Sequence, residues 1–312
     1  MTDAHPHKPG APEAPLMRPI PRRHPWRWFG SAALILGLVW FAAVLITNAN
    51  MQWPVVGAYL FSPEILAGLG RTLVLTALSM LIGLGVGMVL AVMRLSGNPV
   101  FQAFSWAWIW FFRGVPPLVQ LVFWYNLALL FPTLGLGIPF GPQWFAWDTN
   151  RLITPFSAAI LGLSLTESAY AAEMLRAGIQ AVSVGQSEAA SSLGMTRGQA
   201  LRRIILPQAL RIVIPPIGND TISMLKFTSL VSVLALPDLL YSAQMIYSRT
   251  YQTIPLLVVA TLWYLALSTV LTFLEHFIER RLAVGRVPTP GAPERATMRR
   301  WLFGAPRLER PA

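Results

Sequence analysis

The stretch TLVLTALSMLIGLGVGMVLAV, residues 72–92, contains no charged side chain and no proline. About 20 such residues in a helix cross the roughly 30 Å hydrocarbon core of a bilayer, so this stretch predicts a membrane-spanning helix. Apolar runs of similar length lie on both sides of it, and carboxylates interrupt the fourth of them. Together the runs predict an all-α integral membrane protein with six transmembrane helices, at residues 28–47, 72–92, 115–131, 155–175, 212–236 and 255–277.

The composition agrees with a membrane protein. Hydrophobic residues make up 54% of the chain and charged residues 12%, whereas a soluble domain has roughly 45 to 50% and about 25%. The absence of cysteine excludes disulfides and Cys-based metal sites. No constellation of reactive side chains outside the spans indicates an enzyme, so we predict neither catalytic residues nor a metal site. The histidines are too scattered for a metal cluster: His5, His7, His24 and His276.

The net charge of +11 is concentrated towards the two ends of the chain. In a soluble protein this charge would suggest a nucleic-acid partner. Here the basic residues flank apolar spans, which is how the orientation of a membrane protein is set. Residues 1–26 and 283–312 predict disordered basic tails in the cytoplasm. Both termini then lie inside, and residues 27–65 comprise the first transmembrane helix and an outer loop.

This orientation leaves few basic residues on the outer side. It places residues 94–113 and 176–211 in the cytoplasm, in keeping with the positive-inside rule. The outer segment 132–154 predicts a loop whose Trp144 and Trp147 rest at the membrane interface. The basic residues left outside are Arg71, Arg151 and Arg249.

The cytoplasmic segment SVGQSEAASSLGMTRGQALRRIILP, residues 183–207, predicts two short helices joined by a turn. Ser183 is suited to cap the first helix, and Gly194 suits a left-handed position at its end. Thr196 is suited to cap the second helix, and Pro207 is expected to end it because proline lacks an amide donor. A DNA-binding helix-turn-helix is the alternative, but a loop tethered between two spans is held at the membrane surface.

Within this segment the residues resemble, in order and approximate spacing, the EAA motif of bacterial ATP-binding-cassette (ABC) importers. Further stretches resemble the polar amino acid uptake branch of that family: residues 112–116 (FRGVP), 169–178 (AYAAEMLRAG) and 225–230 (LKFTSL). The resemblance covers residues 66–282 and implies a type I ABC importer permease fold. The residues that match the motif are Glu188, Ala189, Ala190, Gly194, Ile204, Leu206 and Pro207.

The resemblance implies a transmembrane permease subunit of a bacterial inner-membrane importer, forming the translocation pathway for amino acids. In that family, segment 183–207 is the coupling loop that docks on a separate ATPase subunit. The implied partners are two ABC ATPase subunits, a second permease chain, identical or related, and an extracytoplasmic solute-binding protein. The chain has no G-x-x-x-x-G-K-[ST] motif, so we expect it to bind no cofactor and the partner to use ATP and magnesium.

An ion-driven secondary transporter of small polar solutes is the alternative function. Such transporters typically contain inverted repeats, which this sequence does not show. Two departures from the family pattern concern the solute rather than the family. Phe227 stands where an aspartate is usual, and Glu167 adds a carboxylate where small polar residues are common.

Ionisable residues at membrane depth are candidates for the translocation pathway. Inserting each one costs at least about 2.5 to 3.5 kcal/mol, so each requires a functional or structural reason. Glu167 can receive a solute ammonium or pair with Lys226 or Arg113. Glu173 and Arg176, three residues apart, predict a structural ion pair at the end of the fourth span. Small polar residues can instead serve helix packing. The candidate pathway residues are Glu167, Tyr170, Asn219, Ser223 and Lys226.

Overall fold

The structure, a computed structural model, describes residues 25–137 and 143–283. The chain divides into two compact units, residues 1–52 and residues 53–312. The first unit contains α1 (Pro25–Thr47) and a 3-10 turn (Ala49–Met51). Asn48 caps the turn, its side-chain oxygen accepting a hydrogen bond from the amide of Asn50 at 2.9 Å. α1 covers the first predicted span, 28–47.

The second unit is mostly helical. In its first half, α2, α3, α4 and α5 precede a hairpin of β1 and β2, and α6 and α7 follow it. The bounds are α2 (Trp53–Leu60), α3 (Pro63–Leu95), α4 (Pro99–Gly114), α5 (Pro117–Tyr125), β1 (Thr133–Gly137), β2 (Gln143–Asp148), α6 (Thr149–Leu152) and α7 (Pro155–Gln180).

The second half of this unit contains the predicted cytoplasmic segment and the last apolar helices. A π-type turn joins α9 to α10, and a 3-10 helix follows α10. The bounds are α8 (Val184–Ser192), α9 (Arg197–Ala200), the π-type turn (Leu201–Ile205), α10 (Leu206–Phe227), the 3-10 helix (Thr228–Leu234), α11 (Leu239–Thr250) and α12 (Thr253–Ala283).

The long helix α3 extends beyond the predicted span of residues 72–92 at both ends. It begins nine residues earlier, because Pro63 suits a first helical position and Ser62 caps the helix by accepting a hydrogen bond from the amide of Ile65. α3 packs along most of α7. α7 begins at Pro155, the first residue of the predicted fourth span, behind a reciprocal capping box of Thr154 and Ser157.

The third predicted span, residues 115–131, is wrong in its bounds. In the structure residues 99–114 form a helix, α4, that packs against α3. Ser105 donates its hydroxyl to the carbonyl of Leu90 at 2.8 Å, and Trp108 donates its indole N–H to Ser168 on α7 at 3.0 Å. The sequence prediction placed residues 94–113 on the cytoplasmic side without assigning a helix to them.

A buried glutamine holds the break between α4 and α5. Pro116 and Pro117 have no amide hydrogen, so a carbonyl at the end of α4 loses its helical donor. The side-chain nitrogen of Gln120 donates to the carbonyls of Phe112 and Val115, at 3.0 and 2.9 Å. Thr166 of α7 donates to the side-chain oxygen of the same glutamine at 3.1 Å. The break is therefore fixed in place against α7.

Two further expectations are corrected. The fold is not entirely α-helical, since β1 and β2 form an antiparallel hairpin in the outer segment where a loop was predicted. The predicted outer loop within residues 27–65 contains α2, and the indole of Trp263 on α12 donates to the carbonyl of Leu60 at 2.8 Å. The predicted tails, residues 1–26 and 283–312, lie almost entirely outside the described residues.

In the described ranges, three helices are long and apolar enough to cross a membrane: Trp28–Thr47, Pro63–Leu95 and Thr253–Leu282. A bent pair, Arg197–Leu234 with Leu239–Thr250, meets at 44° and provides a fourth crossing if it counts as one span. α7 is not among them, since its serines, Thr166 and Glu167 lower its hydropathy. The six-span count stays a prediction.

Candidate functional site

The first candidate site is the segment that joins α7 to α10. α8 ends in a pair of hydrogen bonds that reverse the chain: the amide of Met195 donates to the carbonyl of Ala190 at 3.1 Å, and that of Gly194 to Ser191 at 2.9 Å. This is a Schellman motif, which requires a left-handed residue at its turn. Gly194 has φ +73°, as the sequence predicted, and among the described residues other than its chain neighbours no atom lies within 4 Å of the position a Cβ would take.

The second helix of the segment is capped as predicted, whereas the side chain of Ser183 makes no capping hydrogen bond to α8. The Thr196 hydroxyl accepts from the amide of Gln199 at 3.3 Å, and the Gln199 side chain accepts from the amide of Thr196 at 2.9 Å. The predicted helix end at Pro207 is wrong. The chain passes from α9 through the π-type turn into α10, since the turn spaces the backbone so that a residue without an amide hydrogen fits.

Burial divides the motif residues of the segment into two groups. Ala190 is fully buried, and Ile204 and Leu206 are half-buried, so these three hold the segment together. Glu188 and Ala189 are exposed beside Leu193, whose side chain is 79% exposed. The exposed group forms a surface with a carboxylate, a methyl group and a leucine side chain towards the C-terminal end of α8. Pro207 is also exposed.

Glu167 lies at a tight contact between α7 and α3. Its side chain is only 4% exposed, and a Cβ added to Gly83 of α3 would come within 2.4 Å of its Cγ. One turn along, a Cβ on Gly87 would lie 2.6 Å from the Cβ of Ala171. Small residues four apart allow helices in a membrane to approach this closely. Within the described chain, the buried Oε1 of Glu167 has no hydrogen-bond partner.

The structure brings together some of the predicted charged pairs and not others. Arg176 contacts Glu173, with Nη2 2.7 Å from Oε2. Arg113 lies over the ring of Tyr170, 5.2 Å from its centroid, and not beside Glu167. Among the described residues no ion pair joins Glu167 to Lys226, since the ion pairs within 4 Å are limited to Glu173 with Arg176.

The polar residues of α10 form a stripe that faces away from the core. Asn219 and Lys226 are exposed and Ser223 is half-buried, while Met224 and Leu225 on the opposite face are almost completely buried. Because a charge at membrane depth avoids lipid, this stripe is suited to a water-filled path or a protein surface.

Beside this stripe, α10 and α12 enclose a groove of about 640 Å³, which we call the α10–α12 groove. Sequence reasoning missed its α12 side. The signal was present, since hydroxyl and basic side chains recur there at the spacing of one helix face. The groove is lined by Ile222 and Lys226 of α10 and by Leu265, Ser268, Thr269, Thr272, Phe273, His276, Phe277 and Arg280 of α12.

Comparison with known proteins relates the chain to a family of transport proteins. The family described as "Binding-protein-dependent transport system inner membrane component" matches residues 83–284. The chain is 41% identical over 280 residues to the arginine transport system permease protein ArgU of Corynebacterium glutamicum, covering 89% of this chain and 87% of that protein. It is 35% identical over 223 residues to the arginine transport system permease protein ArtQ of Bacillus subtilis, covering 70% of this chain and 93% of that protein.

Among solved structures, one match is described as the crystal structure of an amino acid ABC transporter with histidines. It superposes with a TM-score of 0.61 at 37% sequence identity, covering 71% of this chain and 95% of that chain. A bacterial alginate ABC transporter in complex with its periplasmic protein superposes with a TM-score of 0.53 at 16% identity, which shows a shared fold.

Proposed function

Because the chain belongs to the family of binding-protein-dependent transport system inner membrane components, we propose that the ABC importer of which it is a permease subunit carries amino acids. Its relatives support this substrate class, since two of them are named arginine transport system permease proteins. The matched crystal structure is likewise of an amino acid ABC transporter.

The proposed mechanism rests on the exposed surface at the end of α8. Glu188, Ala189 and Leu193 lie outward on a helix whose end is fixed by the turn at Gly194. A short helix that presents an exposed leucine beside an alanine and a carboxylate is suited to enter a groove on a partner. We propose that this surface docks on an ABC ATPase, which binds ATP and magnesium while this chain binds neither.

The rest of the proposed assembly follows from that contact. Two ATPase subunits drive two permease chains, identical or related, and an extracytoplasmic binding protein delivers the solute. Both termini lie in the cytoplasm, on the side of residues 183–207. Closure of the ATPase pair draws the two coupling segments together and opens the pathway outward. The exposed stripe of Asn219, Ser223 and Lys226 lines that pathway, whereas Glu167 contributes to the packing of α7 on α3.

Substitution of Gly194 tests the docking surface. Gly194→Val places a β-branched residue at a left-handed position, at a cost of about 1 to 2 kcal/mol, and is expected to reduce co-purification of the ATPase and the stimulation of ATP hydrolysis. The matched control is Gly194→Asn, because asparagine tolerates the left-handed conformation. Equal coupling in the valine and asparagine variants would overturn the assignment.

Uptake measurements test the transport function itself. Proteoliposomes that contain this chain, its ATPase and its binding protein should accumulate labelled L-arginine or another amino acid from a labelled panel. Accumulation should require ATP on the side of the ATPase and persist when ionophores remove the proton and sodium gradients. Uptake that stops with the ionophores and ignores ATP would indicate an ion-driven transporter instead.

A further inference from the structure

The α10–α12 groove lies at membrane depth, and the charged side chains that line it are basic. Ser268 lies fifteen residues from either end of α12 (Thr253–Ala283), about 22 Å along the helix in each direction. The groove that Ser268 lines also contains Lys226 of α10. Lys226 is exposed and has no acidic partner within 4 Å in the described parts of the chain. A lysine at this depth needs water or an anion beside it.

The α12 side of the groove continues this polarity towards the cytoplasmic end. Thr269, Thr272, His276 and Arg280 follow each other at intervals of three, four and four residues, so they share one face. The row spans about 16 Å of helix. The row begins with hydroxyl groups at about the depth of Lys226 and ends with the guanidinium of Arg280 near the end of α12.

Among the described residues no carboxylate lines this groove, although α12 carries two in the same region. Glu275 lies against α10, since a Cβ on Gly218 would come within 2.9 Å of its Cγ. Glu279 is not among the lining residues either. The lining therefore offers cations between apolar walls such as Leu265 and Phe273, while its hydroxyl groups donate to backbone carbonyls of α12 itself. A cleft lined by one sign of charge raises the local concentration of ions of the opposite sign.

We propose that the α10–α12 groove binds the carboxylate of the transported solute at Lys226 and conducts it along the row of Thr269, Thr272, His276 and Arg280 towards the cytoplasm. The proposal rests on the function proposed above and names the group of the amino acid that this part of the pathway recognises. It also separates Lys226 from Glu167, whose buried carboxylate faces α3.

The absence of cysteine from the chain permits a direct test. In the assembled transporter in membranes, Thr272→Cys gives a single thiol in the groove, which is labelled with an anionic sulfonate or a cationic trimethylammonium methanethiosulfonate reagent. After correction for the reactivity of a free thiol, the anionic reagent should react about tenfold faster. Lys226→Met in the same background should reduce that preference towards one. The matched control is Val270→Cys, which is exposed on α12 outside the groove and should label slowly with both reagents.

Protection identifies the occupant. L-Arginine should slow labelling at Thr272→Cys, and agmatine, which lacks only the carboxylate, should not. A preference for the cationic reagent, or absence of protection in membranes that take up L-arginine, would overturn the proposal. Labelling that is slowed only in membranes containing acidic phospholipid would identify a lipid headgroup as the occupant and would also overturn the proposal. A disulfide between two copies of the Thr272→Cys variant would overturn it as well. If no amino acid is taken up, the proposed function fails, while the charge preference still decides whether the groove selects anions.

Discussion

Two ionisable side chains at membrane depth lie in opposite environments. One is buried at the contact between α3 and α7, and the other is exposed in the α10–α12 groove. In the first, Glu167 is packed against Gly83, and a Cβ on that glycine would have no room. In the α10–α12 groove, Lys226 lies exposed, and hydroxyl groups and Arg280 line the same groove. The comparison shows that a charge within an apolar span does not by itself indicate a pathway, because its helix neighbours decide whether it reaches water.

The largest effect is expected from filling the tight contact. Gly83→Ala introduces a Cβ within 2.4 Å of the Glu167 side chain and 3.2 Å of the Ser164 carbonyl. Overpacking of this kind typically costs about 1 to 3 kcal/mol, so the thermal midpoint of the purified transporter should fall. Gly85→Ala is the matched control on the same helix, since no atom lies within 4 Å of its Cβ position. Equal midpoints for the two variants would show that α3 and α7 are not so closely packed.

The next effect concerns the open groove. Lys226→Met is expected to lower amino acid uptake about tenfold, which corresponds to about 1.4 kcal/mol of transition-state binding. Its thermal midpoint should change little, because Lys226 is exposed and unpaired within the described chain. Lys226→Arg keeps the charge and should retain most of the uptake. A collapse of stability without selective loss of uptake would assign Lys226 a structural role.

A smaller effect is expected at Glu167. Glu167→Gln replaces a buried carboxyl with an amide of the same size. Because Oε1 of Glu167 has no hydrogen-bond partner in the described structure, the substitution removes no hydrogen bond or ion pair at that atom. The thermal midpoint should therefore stay the same or rise, and uptake should remain within about twofold of the unaltered protein. A marked loss of uptake, or loss of discrimination against solutes without an amino group, would show that Glu167 lines the translocation pathway.

The smallest expected quantity is the coupling between the two residues. Because Glu167 and Lys226 form no ion pair in the described chain, the stability changes of Glu167→Gln and Lys226→Met should add within about 0.5 kcal/mol in the double variant. Thermal or denaturant unfolding of the four proteins measures this directly. Rescue of one substitution by the other would show that the two side chains interact.

The sequence by itself determined the features that depend on neighbours along the chain. The apolar runs located α1, α3 and α12, since hydropathy over about 20 residues is a local property. Gly194 and Thr196 specified the turn of the coupling segment, because a left-handed residue and a cap act within a few positions. The motif residues were sufficient to indicate the family to which the chain belongs.

Only the tertiary structure decided which neighbours each helix face has. Spacing predicted the ion pair of Glu173 with Arg176. It did not predict that Glu167 packs on Gly83 while Tyr170 meets Arg113. The amide of Gln120 joins α4, α5 and α7 across 46 residues of chain, which no local pattern could indicate. The rotation of a helix about its axis is set by long-range packing, and this rotation buries Glu167 while it leaves Lys226 in an open groove.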